Sequence, residues 1–137
     1  MKLLFAVLFC MMSCALYANT DIQDVPLPNL RESHSLDKLY KNVTLQFSKS
    51  SKKSIPKKQG IIASKMTHHI FKDSKEVCLM LFFSALKDLQ MQALQLGGTK
   101  IGNIESYLNG SSKRITKYFQ CKSGFIFNIV TLRADVY

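Results

Sequence analysis

Residues 73–98, DSKEVCLMLFFSALKDLQMQALQLGG, set the architecture. Asp73 and Ser74 stand before Glu76 at the spacing of a helix cap, where a side-chain oxygen accepts an N–H that the first turn leaves unpaired. Cys78, Leu81, Phe82, Ala85, Leu89, Ala93 and Leu96 then recur at three and four, which predicts a helix over 77–96. Its first half, CLMLFF, is apolar all round and is expected to be buried on more than one side. Lys87, Asp88, Gln90, Gln92 and Gln95 mark a wet face further on. Gly97 and Gly98 supply a left-handed stop.

Downstream of that helix, residues 99–108 read as a strand, and Asn109-Gly110 announces a tight reversal because both residues take positive backbone angles cheaply. With Ser111 and Ser112 it joins that strand to a second over 114–121, and a last strand covers 125–136. Upstream, the branched and aromatic residues of 61–72 suggest a strand. Val43, Leu45 and Phe47 alternate with polar neighbours as a half-buried strand does. Residues 49–60 lack apolar spacing and are read as an exposed loop. Residues 19–35 mix Pro26, Pro28, Asn and acids without period and read as a loose leader. Residues 36–137 then form a single α+β domain, with one main helix packed on a mainly antiparallel sheet of about four to five strands.

The first eighteen residues, MKLLFAVLFCMMSCALYA, combine one Lys2, an unbroken apolar run and a small-residue end, the pattern of a secretory signal peptide. The run falls short of the roughly twenty apolar residues that span a bilayer. Cleavage after Ala18 removes Cys10 and Cys14 and leaves Cys78 and Cys121, which can pair in only one way. A bridge between them closes a loop of about forty residues and is worth roughly 4 kcal/mol. A reactive thiol or metal pair is the competing reading, but no CxxC spacing occurs and neither cysteine has a His beside it.

Lys and Arg outnumber Asp and Glu by 19 to 9, a formal net charge of +10, and the signal peptide carries only Lys2 of it. Such a surface suits anionic neighbours. Lys49, Lys52, Lys53, Lys57 and Lys58 crowd the loop before residue 60 and form the candidate anion-binding set. The expected partner is an unidentified envelope protein or an anionic envelope component. Nucleic acid ranks below these, and the membrane is expected to be touched only by the signal peptide before cleavage.

No catalytic residue, metal or cofactor is expected. The glycines are never followed by Lys-Ser or Lys-Thr at the offset of a phosphate-binding loop, which excludes nucleotide hydrolysis by that route. No G-x-S-x-G elbow occurs. His68 and His69 are adjacent, so on a strand they face opposite ways, and His34 is the only other histidine. Asn42-Val43-Thr44 and Asn109-Gly110-Ser111 match the glycosylation acceptor pattern, which matters only in a eukaryotic host.

Across residues 76–136, Cys78, Ser84-Ala85-Leu86, Leu89-Gln90, Gly97-Gly98, Ser106-Tyr107, Cys121 and Gly124 fall in the order seen in a family of small exported bacterial proteins. The chain resembles that family, which is often labelled excinuclease ATPase subunit. The family in turn is similar to the sheet-and-helix unit of the Rcs-pathway outer-membrane stress sensor and of a family labelled heavy-metal-binding. Thr99, Leu108 and Gln120 depart from its pattern. The resemblance implies an α+β fold and a Cys78–Cys121 bridge, and it supplies no catalytic residue. The combined expectation is a periplasmic or secreted, non-enzymatic binding or sensing module, with anion or nucleic-acid binding through the lysine loop as the alternative.

Overall fold

A computed structural model describes residues 21–29, 39–47, 54–68, 73–124 and 126–137. The signal peptide, most of the leader including His34, and Lys49, Lys52, Lys53 and His69 lie outside the described residues. The elements in chain order are β1 (Asp21–Pro26), β2 (Thr44–Leu45), β3 (Lys58–His68), α1 (Ser74–Gln95), β4 (Lys100–Leu108), β5 (Ser111–Arg114), β6 (Tyr118–Ser123) and β7 (Phe127–Val136). The α+β class stands.

The sheet is larger than the sequence suggests. Among the described residues it has seven strands, and it is mixed because β2 runs parallel to β4. Part of the segment read as a loose leader is β1, paired antiparallel with β6 and burying Val25. The strand expected over 114–121 breaks into β5 and β6 around buried Ile115, and these two pair with different neighbours. Lys58, Gln59 and Gly60, read as loop, begin β3. In each case tertiary pairing overrode a weak local signal.

β7 is the axis of the sheet. β3 follows one of its edges, while β6 and β4 share the other, β6 opposite 128–129 and β4 opposite 132–136. Where the two diverge, buried Ser106 on β4 accepts the Gln120 N–H of β6 at 2.9 Å, so the fork leaves no dry donor there. Bulges interrupt both long pairings near the end of β7, one at Gly60 (φ 67°) and one at Asn103 (φ 52°). The Asp135 carboxylate between them accepts the Gly60 N–H at 3.0 Å and Asn103 Nδ2 at 3.4 Å.

The residues of β7 at 128, 130, 132, 134 and 136 are buried beneath α1. Asp73 caps the helix by accepting the Lys75 N–H at 3.0 Å, with Glu76 in the first turn. By length and composition α1 is apolar enough to cross a membrane, yet Phe82, Ala85, Leu86 and Leu89 are wholly inside this fold. Phe82 stacks on Phe119 of β6 with centroids 4.2 Å apart, and Phe83 meets it edge-on at 5.7 Å. The apolar first half of α1 is buried on more than one side, at Val77, Cys78, Leu81, Phe82 and Phe83, with Met80 exposed.

Two glutamines read as wet are bonded into the structure. Gln90 is buried and bonds the backbone around residues 40–43, and Gln92 donates to the Ile62 carbonyl of β3 at 2.9 Å. At the other terminus the Gly98 N–H reaches Ala93 O at 2.8 Å and the Gly97 N–H reaches Leu94 O at 3.1 Å, a Schellman stop with Gly97 at φ 71°.

Candidate functional site

The two ends of the sheet differ in chemistry. At the N-terminal end of α1, Cys78 is bonded to Cys121 of β6 with Cα atoms 6.0 Å apart. Helix register puts Cys78 in the second turn facing the sheet, and strand register turns Cys121 inward beside Phe119, so the bridge ties the two layers together. Around it Gln23 Nε2 donates to Ser123 Oγ at 2.6 Å and Ser74 Oγ at 3.0 Å, and lies 3.6 Å from Cys78 Sγ. Asn128 Nδ2 reaches the Ser74 carbonyl at 3.4 Å.

This cluster contains no acid or base. Both cysteines are fully inaccessible, whereas reactive ones need exposure and thiolate-favouring charge. The arrangement can hold the helix start on the sheet, but it offers no route to a redox partner.

The opposite end is built by strand register. Lys58 pairs with Val136, Ile101 pairs with the same Val136 from the other edge, and Thr44 pairs with Lys100. Backbone bonds close the group: Lys57 N to Val136 O at 2.7 Å, Tyr137 N to Lys100 O at 2.8 Å and Thr44 N to Thr99 O at 2.9 Å. Lys57 and Lys58 therefore stand beside one edge of β7, and Lys100 stands beside the other, about 10 Å across two strand spacings. Lys41 lies just before β2 at the same end and is exposed, as are Lys57 and Lys58.

The lysines at this end outnumber the carboxylates near them, and none is ion-paired among the described residues. The ion pairs among the described residues, Lys65 with Asp88 and Lys113 with Asp24, lie elsewhere. The Lys100 ammonium sits 5.1 Å over the Tyr137 ring, a contact that orients it without cancelling its charge. Asp135 is near in register, and its carboxylate bonds only the neutral Gly60 N–H and the Asn103 amide, so its negative charge offsets part of the lysine charge without pairing with any one of them. Anions within a Debye length of such a cluster are attracted, and salt weakens the attraction.

Of the lysines picked out in the sequence, Lys57 and Lys58 thus join this end, while Lys49, Lys52 and Lys53 lie outside the described residues. Lys41 and Lys100 were not legible as members, because only the β2·β4 and β4·β7 pairings bring them there. His68 ends β3 exposed, and among the described residues no three His, Cys, Asp or Glu side chains gather in a way that could hold a metal ion. No protein family, curated protein or solved structure was found to match the chain.

Proposed function

We propose that this chain is an exported, disulfide-locked, non-enzymatic binding module of the cell envelope, and that its lysine end engages an anionic envelope component. The observation that carries the reading is the convergence of Lys57, Lys58 and Lys100 on the last residues of β7 with no carboxylate paired to any of them among the described residues. The buried Cys78–Cys121 bond supports the address, since such bonds persist in oxidising compartments. The leader at 1–18 and the resemblance to small exported proteins point the same way.

Retention on heparin, a soluble polyanion standing in for the partner's charge, tests the binding half. The protein should be retained at low salt and elute as salt screens the contact. Lys57→Gln, Lys58→Gln and Lys100→Gln together should advance elution far more than the change to Gln at Lys75, Arg114 and Lys117, which are exposed elsewhere. Equal shifts in the two triple variants would mean that net charge alone is read, and the assignment of this end would fall.

A further inference from the structure

Ile55 is 92% exposed, far above the other large apolar side chains among the described residues. Single apolar residues on a surface are ordinary, but the position of this one is not. Pro56 follows it and restricts its backbone to extended forms. Two residues on, the Lys57 N–H is fixed to Val136 O at 2.7 Å. The isoleucine is therefore held close to an anchored strand start, immediately before Lys57 and Lys58.

A second aliphatic group lies at the same end. Leu96, at the α1 C-cap, is 45% exposed, and the turn after it is joined to the end of β7 through Thr99 N to Tyr137 O at 2.9 Å. Lys41, Lys57, Lys58 and Lys100 stand at the same end of the sheet. A soluble polyanion satisfies the lysines and gives Ile55 nothing. An anionic bilayer satisfies both, because the head groups take the ammonium groups while the acyl boundary takes the isoleucine. Reversible membrane attachment rests on that pairing of a small apolar insertion with a basic patch.

Resting on the binding reading above, we infer that the lysine end is a peripheral docking surface for an anionic phospholipid bilayer, with Ile55 as its inserting residue. This departs from the expectation that the membrane is touched only by the signal peptide before cleavage. Each lysine near an anionic surface contributes about fivefold in affinity, and burying an isoleucine side chain contributes tenfold or more, roughly.

Co-sedimentation of the mature protein with phosphatidylglycerol–phosphatidylcholine vesicles, against phosphatidylcholine alone, tests it. Binding should require phosphatidylglycerol. The Lys57→Gln/Lys58→Gln variant should bind about 25-fold more weakly. Ile55→Ser should bind roughly tenfold more weakly while its elution from heparin is unchanged, and Ile22→Ser, exposed on β1, should bind as the parent does. Absence of binding to phosphatidylglycerol vesicles, or an Ile55→Ser variant that binds as the parent does, overturns the inference. Heparin retention that persists in either case leaves the anion-binding reading standing, so the two fail separately.

Discussion

Gln90 and Tyr40 are joined twice: the glutamine Oε1 accepts the Tyr40 N–H at 2.9 Å, and its Nε2 donates to the Tyr40 carbonyl at 3.0 Å. The same Nε2 donates to the Val43 carbonyl at 2.8 Å. A side chain 1% exposed in the middle of α1 thus substitutes for the strand partner that the backbone before β2 lacks. The contact holds Val43 and Leu39 in the core and so positions β2 against Lys100.

Replacing Gln90 with Leu keeps the volume and removes the partner of the Tyr40 N–H and of the Val43 carbonyl, while the Tyr40 carbonyl keeps the Val43 N–H at 3.4 Å. Each buried group left without a partner costs about 1–3 kcal/mol. Urea unfolding of Gln90→Leu should show at least that loss, whereas Gln92→Leu, whose single bond to Ile62 O is exposed, should lose about 1 kcal/mol or less. Equal losses in the two would contradict the role given to Gln90.

The Cys78–Cys121 bond spans a sequence separation of 43, and the chain-entropy estimate for such a loop is about 4 kcal/mol. Comparing the oxidised protein with the Cys78→Ala/Cys121→Ala variant by denaturant unfolding should recover most of that difference. A loss below about 1 kcal/mol would mean that the bond adds little to what Gln23, Ser74 and the Phe82–Phe119 stack already hold.

Gly97 and Gly98 are adjacent but are required for different reasons. Gly97 has φ 71° and open space around it, so Gly97→Ala should cost about 1–2 kcal/mol through backbone strain, and Gly97→Asn should cost less. A Cβ on Gly98 would drive into the Val136 side chain and the Ala93 and Tyr137 carbonyls. Gly98→Ala should cost roughly 1–3 kcal/mol by overpacking, and Gly98→Asn more. Thermal melting of the four variants separates the two cases.

Where local signals were strong, the chain could be read directly. The Asp73 cap, the three-and-four period and the Gly97 stop located α1 to within a few residues, because each is a short-range effect. Asn109-Gly110 marked its hairpin for the same reason, with φ 53° and 74°. β1 was hidden: its residues carry Pro26 and two aspartates, and only pairing with β6 makes them a strand. Gln90 looked wet because a polar residue on a helix gives no sign of a distant backbone that needs it. The lysine end was half legible. Lys57 and Lys58 stood out as a run, while Lys100 belongs to the group only through the parallel and antiparallel pairings of β4.

The proposed function rests on export with a closed bridge, and the mass of the protein recovered from fractionated cells tests that most directly. The expected result is an extracytoplasmic chain that begins at Asn19 and takes up no thiol-alkylating reagent until it is reduced, after which Cys78 and Cys121 both react. A cytosolic chain retaining residues 1–18, with Cys78 and Cys121 alkylated before any reductant is added, would contradict it.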